Sequence, residues 1–289
     1  MKVLVIGGKG NLGAEYCKFL KSKDLTPIVV DLPKDINEIT LKDIRDLSPS
    51  FVVNFAMIAD LKRTHILQSA DDYRVNILGL ANLLKVVFDD QIPLIQISTR
   101  EVIGLRDFRI DPLKEFSGGD DLRRIREDEP CLPVHSYGKT KLVAEYLCQG
   151  YEKGAVIRLN TPYTNDWTLG KGLISVLVKK SCLDGKVRLD NLGRAVRDPL
   201  HVSDLTELTL KVFENGMYNE VINAAGGEEN VISLEEICSE ANPEVLIEAG
   251  SDNSDYGFVM DIQKATNLGW SPQVNIRSWL RGIKRSLNG

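Results

Sequence analysis

The stretch KVLVIGGKGNLG, Lys2 to Gly13, decides the fold. A short apolar run passes directly into glycines, and the residues that follow, LGAEYCKFLKSK, read as a helix. A strand that ends in a glycine turn and opens a helix is the context that gives a glycine motif meaning. Gly7 allows the tight turn, Gly10 lets the backbone approach a pyrophosphate, and Gly13 permits close helix packing. Asn11 and Leu12 lie inside the motif. The helix N-terminus offers free N–H groups and a positive dipole end to phosphates.

Working outward, TPIVVDL, SFVVNFAM and IPLIQIST repeat the pattern of apolar runs ending in small or polar residues. Between them lie the helix-like stretches EITLKDIRDLS and DDYRVNILGLANLLKVVFDD, and beyond them the helix SYGKTKLVAEYLCQGYEKG and the strand AVIRLN. Continuous apolar strands alternating with helices predict an α/β protein, a Rossmann-type doubly wound parallel sheet covered on both faces. The alternation breaks down from Thr161 onward. Residues 1–160 are therefore expected to form an NAD-binding domain, and 161–289 a smaller C-terminal α/β substrate-binding portion. The boundary is open to being discontinuous, with HVSDLTELTLKVFENG packing back on the first domain.

Bulk properties exclude several classes. The 289 residues carry a net charge of −5, with Lys and Arg scattered, so no nucleic-acid footprint is expected. No apolar run approaches the ~20 residues of a membrane span, and the N-terminus lacks the pattern of a signal peptide. The five cysteines have no CxxC spacing, so a reduced cytoplasmic protein without a metal site is expected.

Asp31 closes the second strand 18 residues after Gly13, near the ~20 expected of a carboxylate on the adenosine ribose. It should bind a 2′-hydroxyl and repel a 2′-phosphate, favouring NAD over NADP; the bland alternative is a turn cap. Asp35 and Ile36 are candidates to flank the adenine, and Ala56 is a further candidate cofactor contact.

Tyr137 and Lys141 are four apart on a helix and share a face. A free tyrosine has a pKa of about 10, and a nearby ammonium favours its phenolate. A Y-x-x-x-K pair alone usually means a solvated helix face, but here it follows a nucleotide motif. LIQIST ends a strand just before it, at the sheet edge where ligands gather. Thr99 is then placed to hold a substrate hydroxyl while Tyr137 moves its proton, and Lys141 can also bind the nicotinamide ribose.

With GGKGNLG, Asp31, VNILGLANLL, ISTREVIG, YGKTK, RDPLHVSDL and LGWSP together, the chain resembles the extended short-chain dehydrogenase/reductases, specifically the NAD-dependent epimerase/dehydratases of nucleotide sugars. The resemblance covers nearly the whole chain. It implies NAD as cofactor, a nucleotide-diphosphate sugar as substrate, a Thr99–Tyr137–Lys141 trio, a cofactor contact at Asn76, and a homodimer. It also implies that Arg197 grips the diphosphate. Read alone, Arg197 suits bidentate phosphate contacts or a surface ion pair with Asp198, Asp204 could be a helix cap, and His201 reads as structural. Arg158 and Asn160 are further candidate substrate contacts.

Two departures matter. Where dehydratases of this family show Asp-Glu, this chain has Arg100 and Glu101. Arginine does not deprotonate in proteins, so it cannot protonate a leaving hydroxyl. This ranks 4-epimerisation above dehydration and leaves Arg100 either facing a sugar carboxylate or pointing to solvent. Glu101 stays a candidate proton carrier or sugar contact. The segment VVDLPKDINEITLKDI is also very short, a feature similar to the dTDP-4-dehydrorhamnose reductases. A 4-keto-sugar reductase is therefore the second enzymatic expectation, and a non-catalytic dinucleotide-binding regulator the alternative of another class.

Overall fold

The structure, a computed structural model, describes residues 1–31, 36–59, 70–104, 124–251 and 257–288. Asp35, expected near the adenine, lies outside the described residues. The central sheet has six strands: β1 (Lys2–Ile6), β2 (Thr26–Val30), β3 (Phe51–Asn54), β4 (Leu94–Thr99), β5 (Gly154–Leu159) and β6 (Glu220–Ala224). All pairings are parallel, in the order β2-β1-β3-β4-β5-β6. β2 and β3 flank β1 on opposite sides, so the crossover connections part there. That is the switch point at which open α/β sheets bind ligands, beyond the carboxyl ends of the strands.

β3 and β5 are buried along their whole length because helices cover both faces. On one face, helices Asn11–Ser22 and Val202–Glu214 close a core around Val5, Tyr16, Phe51, Ile97 and Leu205. On the other, helices Leu41–Leu47, Leu80–Phe88 and Ser136–Gln149 enclose Leu4, Ile44, Val52, Leu83 and Cys148. The short connection after β2 still forms a helix, because Thr40 and Asp43 make a reciprocal capping box at its start.

The sheet does not stop at residue 160. β6 pairs with β5, and it escaped the sequence reading because EVINA is short and runs into small residues and glycines. The helix Val202–Glu214 packs back on the first helix. The Tyr16 hydroxyl lies 2.8 Å from Thr209 Oγ1, and Phe213 stacks on Phe51 with ring centroids 4.6 Å apart. Residues from both sides of 160 thus build the sheet layer.

The remaining C-terminal residues form a second core around Ile174, Leu177, Val187, Ile237 and Leu280. Helices Leu173–Lys179, Leu234–Ala241 and Ile276–Asn288 and the parallel strand pair Lys186–Leu189 with Leu246–Ala249 surround it. The LGWSP segment docks on the helix Val202–Glu214. The Trp270 indole N–H donates to the Asp204 carbonyl at 2.9 Å, and the Asp204 carboxylate accepts the Val274 N–H at 3.0 Å. Among the described residues no helix is long and apolar enough to cross a membrane.

Candidate active site

The glycine turn sits at the carboxyl end of β1. Gly7 adopts φ +77°, a left-handed conformation that favours glycine, and its N–H donates to the Val30 carbonyl at 3.0 Å. A Cβ on Gly13 would lie 2.4 Å from the Gly7 carbonyl oxygen, so only glycine lets the helix approach the turn this closely. The helix has no side-chain cap at Gly10, and its first N–H groups remain suited to an anion.

Gly7, Gly10, Asp31, Ile36 and Ala56 line one cleft of about 300 Å³. Asp31 is fixed at its lip by the Lys9 N–H, donated to Oδ2 at 2.6 Å. Asn11 lies beside the turn and donates from Nδ2 to the Lys171 carbonyl at 3.3 Å, while Leu12 packs into the core. A cradle that side chains would fill, a helix N-terminus and a carboxylate at the ribose distance fit a dinucleotide.

Thr99 ends β4, and its Oγ1 accepts the Glu101 N–H at 3.2 Å, capping the short turn Arg100–Val102. Tyr137 lies in the first turn of the helix Ser136–Gln149, and the Thr99 side chain acts on it in favour of the phenolate. The Tyr137 hydroxyl donates to the Met57 Sδ at 3.2 Å, and Met57 lines the glycine cleft. The tyrosine hydroxyl therefore stands between the strand end and the cofactor cleft. Burial pushes the Tyr137 phenol above its ordinary value, the Thr99 side chain acts the other way, and the Glu101 charge adds to the rise.

Lys141 is 1% exposed, and its Nζ donates to the Ile97 carbonyl at 2.5 Å. Burial lowers its pKa to about 8, with the Glu145 carboxylate acting upward. The expected direct pairing of ammonium and phenol thus takes another form. A spacing of four sets Lys141 one turn deeper, beneath β4, where the Ile97 carbonyl is in reach. Asn76 sits in the π-helical turn Arg74–Gly79 and ties the segment after β3 to the tyrosine helix. Its amide accepts the Ile58 N–H at 2.9 Å and donates to the Ile58 carbonyl and Thr140 Oγ1, both at 3.0 Å.

The candidate substrate residues divide into two groups. Arg158 is 4% exposed and forks onto Glu145, with Nε to Oε1 at 3.1 Å and Nη2 to Oε2 at 2.8 Å. Asn160 donates to the buried Asp198 carboxyl, which also accepts the Met260 N–H at 2.9 Å and is raised by burial to about 8. Both Arg158 and Asn160 are engaged in internal bonds behind the cleft. Asp198 is likewise interior and is no surface ion-pair partner of Arg197.

Arg197 differs. Its guanidinium lies 4.1 Å from the centroid of the Phe258 ring, and the Arg100 guanidinium lies 3.4 Å from the same centroid. Arg100 Nη2 also pairs with Glu101 Oε1 at 2.6 Å, so it does not simply point to solvent. Phe258 thus joins the turn after Thr99 to Arg197. It was absent from the sequence reading, and no local pattern marks it. His201 is structural: Nδ1 accepts the Ser203 N–H at 3.3 Å, Nε2 lies 3.2 Å from Asn165 Oδ1, and burial lowers its pKa to about 4. Among the described residues no His/Cys/Asp/Glu cluster could hold a metal.

This architecture has relatives. The NAD dependent epimerase/dehydratase family model matches residues 3–225. The low-salt glycan biosynthesis protein Agl12 of Haloferax volcanii is 26% identical over 314 residues, covering 97% of this chain and 96% of that protein. A UDP-glucose 4-epimerase of Rhizobium leguminosarum bv. trifolii is 22% identical over 325 residues, covering 96% and 95%. The structure of MoeE5 in complex with UDP-glucose and NAD superposes with a TM-score of 0.80 at 22% identity, covering 100% of this chain and 98% of that one. The chain belongs to the NAD dependent epimerase/dehydratase family and is an NAD-dependent enzyme of the extended short-chain dehydrogenase/reductase type.

Proposed function

We propose that this enzyme acts on a nucleotide-diphosphate sugar and interconverts epimers at C4 of the sugar. The observation that carries the reading is the Tyr137 hydroxyl, which donates to Met57 on the cleft wall, with the Thr99 side chain acting in favour of its phenolate. A sugar hydroxyl bound there would meet a proton acceptor and a hydrogen-bond partner beside the cofactor.

In this reading Thr99 orients the C4 oxygen and Tyr137 takes its proton, later returning it. Lys141, one turn on, contributes the positive charge that favours the phenolate and holds the nicotinamide ribose. Bound NAD supplies the hydride acceptor and donor. Return of that hydride to the opposite face of the sugar would give the epimer. Gly7, Gly10, Gly13 and the helix after them hold the pyrophosphate, Asp31 selects the 2′-hydroxyl of NAD, and Ile36 and Ala56 line its cleft. Arg197 grips the substrate diphosphate.

Epimerisation is favoured over elimination because the Arg100 guanidinium does not release its protons in a protein, and it is engaged with Glu101 and Phe258. The Rhizobium relative, a UDP-glucose 4-epimerase, supports the same choice. Val143 and Tyr146 stand exposed on the tyrosine helix, with Leu78 and Phe88 exposed on the preceding helical segment. This apolar strip supports a homodimer, to be checked by sedimentation velocity. The five unpaired thiols support a reducing, cytoplasmic setting.

The test is chromatography coupled to mass spectrometry on a panel of UDP-, dTDP- and GDP-sugars with substoichiometric NAD. An isomer of unchanged mass is expected. Loss of water or carbon dioxide would replace epimerisation by elimination or decarboxylation. Product formed only from a keto-sugar with NADH would make the enzyme a reductase.

A further inference from the structure

Behind Tyr137 and Lys141 runs a buried chain of polar groups that the scheme above does not use. Ser98 is 2% exposed, Glu145 1% and Arg158 4%. Glu145 lies one turn beyond Lys141 on the same helix face. The Ser98 hydroxyl donates to Glu145 Oε1 at 2.5 Å, and Arg158 forks onto both carboxylate oxygens. Ser98 and Arg158 face each other across β4 and β5, and Ser98 immediately precedes Thr99. Two catalytic candidates on different elements, Thr99 and Lys141, are therefore each one step from the same carboxylate. A buried ion pair is weak as a stabiliser, because removing two charges from water offsets most of their attraction. Its place here calls for another role.

We propose that the Glu145–Arg158 pair is a positioning device that keeps Lys141 charged in a site closed to water, with Glu145 supplying the attraction and Arg158 setting its strength. Among the described residues few groups act on Lys141. Its own helix contributes Glu145 and Cys148, β4 contributes the Ile97 carbonyl, and β5 contributes Arg158 through Glu145. Burial works against the ammonium, and the Glu145 carboxylate is the largest influence in its favour. Arg158 is further anchored by the Glu127 carbonyl at 3.0 Å and by Cys131 Sγ at 3.3 Å, so the carboxylate is held from a fixed support. This role rests on Lys141 as the ribose-binding lysine.

The test is NADH affinity of the full chain, followed by fluorescence from pH 6 to pH 10. In the native protein, binding weakens as pH rises through the Lys141 titration near 8. Glu145→Gln removes the attraction and should move that midpoint down by about one pH unit or more, with affinity at pH 6 within roughly two-fold of native. Arg158→Met frees the carboxylate and should move it up by about half a unit. The two substitutions break the same ion pair yet shift the midpoint in opposite directions, which a merely structural role would not produce. Should either single variant fold poorly, Glu145→Gln combined with Arg158→Met removes both charges, and its midpoint should fall between native and Glu145→Gln. Midpoints that stay at the native value, or shifts of one sign in both single variants, overturn the proposal. Lys141→Met should abolish the titration. If it instead keeps the native midpoint, the reading of Lys141 itself fails, and the positioning role with it.

Discussion

At the cofactor end of the cleft, Gly7, Gly13 and Asp31 come from one strand–helix–strand unit, and each is in place because its neighbours in sequence are. At the proposed substrate end, Arg100, Arg197 and Phe258 come from three distant segments and meet only around one ring. The first region, proposed to hold the pyrophosphate, is a local backbone arrangement to which Asp31 adds a side chain. The second is a tertiary assembly of side chains. Damage to the first should therefore appear in cofactor binding, and damage to the second in substrate binding.

The largest expected effect lies where the two regions meet. Tyr137→Phe should lower turnover by about 10²–10⁴-fold, the usual contribution of a positioned acid–base group, while NADH affinity stays within roughly two-fold. Full turnover in this variant would remove Tyr137 from the chemistry. Next come two substitutions that test the division itself. Gly13→Ala forces a Cβ to within 2.4 Å of the Gly7 carbonyl oxygen and should weaken NADH binding by roughly ten-fold or more, from the ~1–3 kcal/mol that overpacking costs. Arg197→Met should raise KM for the sugar nucleotide by about ten-fold or more, through loss of charged hydrogen bonds worth ~1.5–3 kcal/mol, and leave NADH binding intact. If titration calorimetry finds that either variant impairs both ligands equally, the two ends are not independent.

The His201 ring lies against Phe19 of the first helix and Tyr163 beyond β5. Burial lowers its folded pKa from the ordinary 6.5 to about 4, so neutral His201 contributes stability that is present above 6.5 and is lost as pH falls toward 4. Urea unfolding at pH 7 and pH 5 should show a loss of about 1–2 kcal/mol from this group, which His201→Gln would largely remove. An equal acid sensitivity in the variant would assign the loss to other groups. The smallest effect is expected at Phe258→Leu. Without the ring, both guanidiniums lose a cation–π contact of about 0.5–1 kcal/mol, and KM for the sugar nucleotide should rise by roughly two- to five-fold. Unchanged KM would mean that the stack packs without organising the site.

Much of the fold and the cofactor region was legible along the chain. Continuous apolar runs gave five of the six central strands, and GGKGNLG with Asp31 marked residues that line one cleft, because backbone turns and short spacings are local properties. The sixth strand was missed because EVINA is short and runs into small residues and glycines, and it gains its identity only by pairing with β5. Arg158 shows the same limit from the other side. Its residue type suits a phosphate, but its position in a buried strand beside Glu145 gives it an internal partner. Phe258, in a polar stretch far from any motif, meets Arg100 and Arg197 only because the chain folds it between them.

The sequence by itself thus determined the sheet class, the glycine turn and the Tyr137–Lys141 spacing, since each is set within a few residues by sterics and helical period. Tertiary structure alone decided which way the Lys141 ammonium faces, which buried arginine pairs with a carboxylate and which stacks on an aromatic ring. Those outcomes depend on burial and on charges brought together from separate strands, and neither is written in local spacing.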